Sequence, residues 1–272
     1  MELFKVLGTI AVDNQPAIKA LDDTAKRAGV TSSETSEAFS KIGSVAGGIA
    51  KGIGVAGQMH GLVVLDENDN IIRNVILWND GRTAKETEYL NTVFGKEKLS
   101  ENTANIAFAG FTAPKILWIK ENEPENFKRI SKIMLPKDYV AYRLSGAFCT
   151  DVSDASGTLY FDVENRCWSK EILSEYGIKE EWLPKVLESD GCAGTLKADL
   201  AEELGLGEVK IIIGAGDNAA AAIGTGTVND GDCNISLGTS GTIFTVSDKF
   251  CLDRDSAIHS FCSASRNYHQ MA

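Results

Sequence analysis

The amino-acid sequence predicts an α/β protein, and three observations carry the prediction. Residues 211–222 read Ile-Ile-Ile-Gly-Ala-Gly-Asp-Asn-Ala-Ala-Ala-Ala, an apolar run that meets two glycines and then an alanine-rich stretch. Such a run is typical of a strand buried on both faces, followed by a tight turn and a closely packed helix. Between residues 53 and 204 further candidate strands and helices alternate, and a hydrophobic content of 43% over 272 residues is enough for a core.

The first 51 residues differ from the rest, because their patterns predict helices alone. A helix is expected within Asp13–Gly29, with Pro16 near its start and apolar residues at helical spacing. A second helical run follows the capping-box pattern Thr31-x-x-Glu34. Spaced glycines between Gly47 and Gly54 join this segment to the first predicted strand. We therefore expect residues 1–51 to form a helical leader.

After the leader, the sequence predicts a strand, a polar cluster and a hairpin. The strand begins at Ile53 and leads into Gln58-Met59-His60. The hairpin is predicted to comprise Leu62–Asp66, a polar turn at Glu67–Asn70, and Ile71–Trp78. Apolar spacing and stopping glycines then predict helices at Arg82–Val93, Ala113–Glu121, Lys137–Leu144, Ser169–Tyr176 and Ala198–Leu204. Cys233–Ser247 is typical of two strands around a Gly-Thr-Ser-Gly turn.

Asp217 is the strongest candidate for a catalytic residue. It follows the buried strand, and open α/β sheets bind their ligands at the carboxyl ends of strands. Two other interpretations stay open at this point. The pattern Gly214-x-Gly216-x-x-Ala219 is a weak match to a dinucleotide-binding turn, which the charge of Asp217 would oppose. An aspartate at a helix start is also a common N-cap.

Six motifs, taken in chain order, resemble one family. They are Gly57-Gln-Met-His-Gly61, Leu77-Trp-Asn-Asp-x-Arg82, Leu135-Pro-Lys-Asp-Tyr139, Thr150-Asp-Val-Ser-Asp-Ala-Ser-Gly157, Gly214-Ala-Gly-Asp-Asn218 and Ser236-Leu-Gly-Thr-Ser-Gly241. The family is the FGGY carbohydrate kinases, and the Gln-Met-His sequence is similar to that of its xylulokinase branch. The resemblance extends from about Gly52 to Met271.

The resemblance implies a ribonuclease H-like, actin-like ATPase fold and transfer of the γ-phosphoryl group of ATP, with Mg²⁺, to the 5-hydroxyl of D-xylulose. It implies that Asp217 is the general base, which suits a sugar hydroxyl because that group is a poor nucleophile. Asn218 is expected to help hold the sugar, and Met59 and His60 to touch it. The residues expected to approach the nucleotide phosphates are Gly238, Thr239, Ser240 and Gly241. A plain hairpin turn is the alternative for these four.

For the other polar or aromatic residues of the motifs, structural roles compete with roles in the site. Trp78 aligns with a tryptophan of the sugar pocket, and a place in the core is an equally good expectation. Asp80 and Arg82 are predicted to form a structural ion pair beside the pocket. Asp151 and Asp154 lie in a Ser/Thr/Gly-rich stretch and are predicted to cap turns rather than to react. No residue is predicted to ligate a metal.

The leader departs from the family pattern. FGGY kinases open with a strand, an Asp-x-Gly-Thr/Ser turn and a second strand, whereas Leu7-Gly8-Thr9 here has no preceding aspartate. Residues 1–51 weakly resemble the start of phage tail tape-measure proteins, so a chimera is expected, with a divergent kinase N-terminus as the alternative. Residues 52–232 are then expected to be a partial N-terminal kinase domain, and 233–272 the truncated start of the C-terminal one.

The amino-acid composition disfavours several classes of binding partner. A net charge of −11 and a pI near 4.8 disfavour nucleic acids and anionic membranes. The six cysteines form no Cys-x-x-Cys pair and the histidines number three, so no zinc site is predicted. No apolar run approaches the ~20 residues of a membrane span, and the segment 1–51 does not read as a secretory leader. We expect a cytoplasmic protein whose oligomeric state is open, a homodimer included.

Two function classes remain at the level of sequence. The first is a xylulokinase-like sugar kinase, or a part of one with little or no turnover of its own. The second is a non-catalytic protein that carries a phage-like arm on a degenerate sugar-binding domain. Asp217-Asn218 together with Gln58-Met59-His60 favours the first class, and the missing Asp-Gly-Thr turn favours the second.

Overall fold

The computed structural model describes residues 52–204, 206–237, 241–253 and 258–272. The helical leader predicted for residues 1–51 lies outside these residues. The chain divides into two compact units, one of Met1–Gly52 with Leu196–Lys210 and the other of Ile53–Thr195 with Ile211–Ala272. The predicted domain boundaries at 52 and 233 stay predictions.

Short strands and short helices alternate along the described residues. The strands are β1 (Gly52–Gly57), β2 (Val63–Leu65), β3 (Lys132–Met134), β4 (Cys149–Asp151), β5 (Phe161–Asp162), β6 (Cys167–Trp168), β7 (Lys185–Leu187), β8 (Cys192–Thr195), β9 (Lys210–Gly216), β10 (Cys233–Leu237), β11 (Gly241–Ser247), β12 (His259–Cys262) and β13 (Tyr268–Met271). The α-helices are α1 (Ala84–Tyr89), α2 (Lys96–Thr103), α3 (Thr112–Asn122), α4 (Pro124–Lys128), α5 (Pro136–Ser145), α6 (Val152–Ala155), α7 (Lys170–Tyr176), α8 (Ala198–Glu203) and α9 (Asp217–Thr225).

The strand, turn and helix predicted around residue 211 are confirmed. Ile211 and Ile213 of β9 are fully buried, but Ile212 on the opposite face is only half-buried, so the predicted burial on both faces is wrong for that face. Helix α9 begins directly after the strand. Gly214 has a φ of +72°, and a Cβ there would lie 1.8 Å from the carbonyl oxygen of Val55 on β1. Only glycine therefore fits where the two strands approach. Strand β9 is the middle one in the order β1-β9-β8.

The predicted hairpin after His60 is only partly formed. Residues 71–78 contribute no regular strand, but isolated antiparallel bridges join Leu62 to Ile76 and Leu65 to Ile71. Strand β2 takes its regular pairing from the distant β3, where Val63 lies opposite Met134. The sequence pattern could not reveal this partner, since β3 is a short run far along the chain.

The predicted helices are confirmed with shifted bounds, and one is interrupted. A π-helical segment, Leu90–Gly95, separates α1 from α2 where a single helix over Arg82–Val93 was expected. Ser169 caps the start of α7 by accepting a hydrogen bond from the amide of Ile172, and Gly177 ends the helix with a φ of +73°.

The largest apolar cluster among the described residues lies in the second unit. It joins strands β2 and β3 to helices α3 and α7 through buried side chains, among them Val64, Ile133, Ile116, Ile172 and Tyr176. The residues from 233 onward form an antiparallel sheet in the order β10-β11-β13-β12. In the first unit, helix α8 follows Leu196, whose N–H donates to the carbonyl of Val209 at 2.8 Å.

Candidate functional site

His60 lies at the centre of a tight turn after β1. The amide of Gly61 donates to the carbonyl of Met59 at 2.9 Å, which closes a three-residue turn. The central residue has a φ of +67°, an uncommon value for a side chain other than glycine. His60 Nδ1 lies 2.9 Å from the carbonyl oxygen of Gly157. Because a carbonyl only accepts, Nδ1 carries the proton and Nε2 is left as an acceptor.

The surroundings of His60 keep the imidazole neutral. Its ring stacks on Phe111 with a centroid distance of 4.4 Å. Burial lowers the pKa of His60 to about 3; the nearby Lys115 and His259 add to this shift, and the bond to Gly157 opposes it. The side chain nevertheless keeps some solvent exposure. A neutral imidazole with a free Nε2 acceptor suits a hydroxyl donor.

Two glycines allow the His60 turn to approach its neighbours. A Cβ at Gly157 would lie 2.4 Å from His60 Cε1, and a Cβ at Gly216 would lie 2.8 Å from Met59 Cγ. Met59 itself is buried. Since Gly216 directly precedes Asp217, this packing brings Met59 and the start of α9 together. Of the sequence-predicted residues, Met59, His60 and Asp217 therefore belong to one neighbourhood.

Asp217 is the first residue of α9 and its side chain is exposed. Its Oδ1 accepts the backbone amide of Asn218 at 2.8 Å and the side-chain amide of Asn218 at 3.4 Å. Partial desolvation raises the pKa of Asp217, and the Asn218 amide offsets part of that rise. The N-cap of α9 is Gly216, and Asp217 does not make the bond to an amide two or three residues on that a helix cap makes. The exposure and the raised pKa of Asp217 suit a base. Its catalytic role stays a prediction.

Trp78 does not fill the core, since 55% of it is exposed. The ion pair predicted nearby is confirmed, because Arg82 Nη2 lies 2.7 Å from Asp80 Oδ2. Hydrogen bonds from Arg82 are the main cause that lowers the pKa of Asp80. Arg82 also lies over the ring of Trp118, at 4.9 Å from its centroid.

A buried charge cluster, which the sequence did not predict, lies beside this neighbourhood. It consists of Lys137, Asp138, Asp151 and Asp154, none of which is exposed by more than 1%. Lys137 Nζ lies 2.7 Å from Asp138 Oδ1, 2.8 Å from Asp151 Oδ1 and 3.8 Å from Asp154 Oδ2. The cluster joins α5 to the start of α6.

The two aspartates predicted to cap turns behave differently. Asp151 caps α6, since its carboxylate accepts the amides of Ser153 at 2.9 Å and Asp154 at 3.4 Å. The prediction is wrong for Asp154, whose carboxylate oxygens have no hydrogen-bond partner among the described residues. Its side chain lies instead toward the buried Lys137. Burial raises the pKa of Asp154 well above its ordinary value, and the charge of Asp217 acts in the same direction.

Lys115 is another polar residue that the sequence interpretation missed. It has no exposure, and its Nζ donates to the carbonyls of His60 at 2.7 Å and Gly110 at 2.5 Å. Burial lowers the pKa of Lys115 to about 7, and Asp80 acts against this. A signal existed in the sequence, because Thr112, Lys115 and Ile116 share one helical face with apolar neighbours.

Most of the predicted phosphate turn lies outside the residues that the structure describes. Gly238, Thr239 and Ser240 are not among the described residues. Gly241 begins β11 and pairs with Leu237 of β10. In the described part of the chain, no cluster of three or more His, Cys, Asp or Glu could hold a metal ion, and no helix is long and apolar enough to cross a membrane.

The sequence model for the N-terminal domain of the FGGY family of carbohydrate kinases matches residues 27–224. The chain belongs to this family. The match begins inside the segment predicted as a foreign leader, whose resemblance to phage proteins stays untested. Xylulose kinases from Lactococcus lactis subsp. lactis (strain IL1403) and Escherichia coli (strain K12) are 46% and 42% identical, over 77% and 82% of this chain.

A solved structure gives the same result for the fold. A xyloylose kinase from Brucella ovis matches 81% of this chain with 44% identity and a TM-score of 0.78. The chain thus has the ribonuclease H-like, actin-like ATPase fold of its family. The matches cover 42%, 46% and 46% of these three relatives, so the chain spans about half of their length.

Proposed function

We propose that this chain is the sugar-binding part of a xylulose kinase, with the ketose held between the His60 turn and Asp217. The packing of Met59 against Gly216 is the observation that supports this most, because it brings the turn to the residue that precedes Asp217. The neutral imidazole of His60 and the carboxylate of Asp217 can then both accept hydrogen bonds from the hydroxyl groups of one sugar. The 46% identity to a xylulose kinase supports D-xylulose as the ketose.

In this proposal Asp217 is the general base. It accepts the proton of the 5-hydroxyl while that oxygen attacks the γ-phosphorus of ATP, and the bond from phosphorus to the bridging oxygen of ADP breaks. The raised pKa of Asp217 makes the carboxylate a stronger base, and its exposure leaves it accessible. His60 and Asn218 orient the sugar through hydrogen bonds, and the exposed Trp78 offers a face for stacking.

ATP is the proposed phosphoryl donor, and the turn from Gly238 to Gly241 is the proposed contact with its phosphates. Leu237 of β10 pairs with Gly241 of β11, which supports the proposal because the two ends of this segment lie close together. Magnesium is proposed to arrive with ATP. Such ions are held largely by phosphates and water with one or two carboxylates, and no described residue is assigned to the ion.

Slow turnover is proposed for these 272 residues on their own. The relatives are about twice as long as the matched region, and phosphoryl transfer depends on charge stabilisation from all sides of the phosphate. The proposed partners are the ketose and ATP. A cytoplasmic location and a homodimer are proposed as well.

Calorimetric titration with D-xylulose and with MgATP tests the binding part of the proposal. We expect saturable binding of D-xylulose, and weaker binding with His60→Ala. A chain that binds MgATP but no ketose would contradict the proposal. An ADP-release assay tests the proposed slow turnover. A turnover rate of about 1 s⁻¹ or faster, which is ordinary for an enzyme, would contradict it.

The base is tested in a complete kinase that carries residues 52–271 of this chain. Asp217→Asn is expected to lower kcat by roughly 10²–10⁴-fold and to leave the KM for sugar nearly unchanged. His60→Ala is expected to raise KM instead. Glu125→Gln, an exposed carboxylate paired with Lys128, is the matched control. An Asp217→Asn enzyme within tenfold of its parent would show that Asp217 is not the base.

A further inference from the structure

The start of helix α3 contacts His60 from two directions. Phe111, which directly precedes the helix, stacks on the His60 ring. The carbonyl of His60 accepts hydrogen bonds from Lys115 Nζ at 2.7 Å and from Thr112 Oγ1 at 3.2 Å. Ring and backbone of the same residue are thus fixed by one helical segment. We call Lys115 and Thr112, with their bonds to the His60 carbonyl, the carbonyl clamp.

The His60 turn needs such a clamp. The hydrogen bond across the turn uses the carbonyl of Met59 and leaves the carbonyl of His60 outside the ladder of β1. A buried carbonyl without a donor would be costly. The φ of +67° also has to be held by its surroundings, because this region costs a non-glycine residue of order 1–3 kcal/mol.

Lys115 is an unusual donor for this purpose. A fully buried lysine is rare unless a carboxylate pairs with it. Its amino group instead donates to two backbone carbonyls, and no ion pair of Lys115 occurs among the described residues. A neutral side chain of the same length would pack there without the desolvation cost. What the lysine adds is a hydrogen-bond donor at the His60 carbonyl.

We propose that Lys115 is a positioning residue for ketose binding, whose amino group fixes the carbonyl of His60 and thereby the direction in which the imidazole faces the sugar. The inference rests on the proposed function, since it gives His60 a sugar to face. Lys115 itself does not touch the ketose. Its loss therefore changes the imidazole first and the affinity for sugar as a consequence.

The first test is spectroscopic and needs no sugar. The chain has three histidines, so the ring nitrogens of His60 are assignable by NMR from the signals that His60→Ala removes. The bond to Gly157 predicts a single tautomer with the proton on Nδ1. In Lys115→Met we expect a mixture of tautomers, because the freed turn no longer holds the ring against that carbonyl.

The second test measures affinity. Lys115→Met is expected to weaken binding of D-xylulose about tenfold, the loss of one buried hydrogen bond to a charged donor. The matched control is Lys120→Met on the same helix, since Lys120 Nζ also donates to a backbone carbonyl, that of Tyr176 at 3.0 Å. The control is expected to keep the wild-type spectrum and affinity.

A folded Lys115→Met chain with the wild-type His60 spectrum and unchanged affinity would overturn the inference. If Lys115→Met does not fold, Thr112→Val tests the inference instead. We expect this variant to show a smaller change in the His60 tautomers and to bind D-xylulose about two to three times more weakly. No change in Thr112→Val would then overturn it. A wild-type chain that binds no D-xylulose would contradict the proposed function. The His60 spectra would still support or refute the carbonyl clamp in that case.

Discussion

Two lysines of this chain, Lys115 and Lys137, are equally buried and yet differ in what surrounds their charge. Lys137 faces carboxylates at 2.7 Å and 2.8 Å, whereas Lys115 faces backbone carbonyls. Burial alone would lower the pKa of both amines. The aspartates overcome that effect and raise the pKa of Lys137, while the pKa of Lys115 falls to about 7. Formal charge on the partners, not depth, decides how a buried lysine behaves.

The difference separates two uses of a buried amine. Lys137 is the cation of a cluster that ties α5 to α6, and its removal would leave buried carboxylates without a counter-charge. Lys115 donates to the carbonyls of His60 and Gly110, and its removal would leave no buried carboxylate without a counter-charge. The first is therefore expected to govern stability and the second to govern the site.

Lys137→Met should produce the largest effect. Breaking a buried ion pair by removing one partner costs about 3–5 kcal/mol, so we expect the variant to be largely unfolded or to unfold at much lower urea. Urea denaturation followed by circular dichroism measures this. Lys128→Met is the control, because its exposed pair with Glu125 should contribute under about 0.5 kcal/mol. Equal urea midpoints for Lys137→Met and Lys128→Met would show that the buried cluster does not govern stability.

Lys115→Met should cost less, about 1–3 kcal/mol, because the carbonyl of Gly110 loses its Lys115 donor and the carbonyl of His60 keeps only the Thr112 bond. Its signature is the pH dependence. The folded pKa of about 7 lies below the unfolded value of 10.5, so the unfolded chain binds more protons between these values. Wild-type stability should therefore rise with pH over this window relative to Lys115→Met. Urea midpoints at pH 7 and pH 9.5 check this, and a constant difference between the two proteins would contradict it.

Asp154→Asn should stabilise the protein at neutral pH. The pKa of Asp154 is raised in the folded state, so folding takes up a proton and stability falls as pH rises above the ordinary value near 3.8. The amide removes that requirement, and we expect a gain of about 1 kcal/mol at pH 7.5 and little change at pH 4. Asp151→Asn serves as contrast, since Asp151 is bonded to Ser153, Ser189 and Lys137 and its change should destabilise. A destabilised Asp154→Asn would mean that its charge is needed.

Sequence alone predicts the part of this site that depends on neighbours in the chain. The β-branched run and the two glycines place Asp217 at the start of α9, as the structure confirms. Met59 and His60 likewise follow a predicted strand, β1, which ends at Gly57. The pairing of β2 with β3 and the charge cluster depend on residues brought together by folding, so local patterns could not predict them.

Lys115 is a buried donor that the sequence indicates. The helix over Ala113–Glu121 was predicted, and a lysine on its apolar face is a conflict that a satisfied donor has to resolve. Asp154 is the opposite case, because a Ser/Thr/Gly-rich stretch favours a cap for both of its aspartates equally. Only the packing of Lys137 distinguishes Asp151 from Asp154.

Asp80→Asn should produce the smallest of these effects, a change in the pKa of Lys115. It tests directly whether a nearby carboxylate distinguishes Lys115 from Lys137. Asp80 is the carboxylate that raises the pKa of Lys115 against the effect of burial, so its neutralisation should lower that pKa below about 7. The change should be small, since Asp80 is also paired with Arg82. A pH titration of the Lys115 amine by ¹⁵N NMR measures it. Asp190→Asn is the matched control, an exposed aspartate paired with Arg266 at 3.0 Å, and it should leave the titration unchanged. If Asp80→Asn raises the pKa of Lys115 or leaves it unmoved, Asp80 does not oppose the effect of burial, and Lys115 lacks the carboxylate support that Lys137 has.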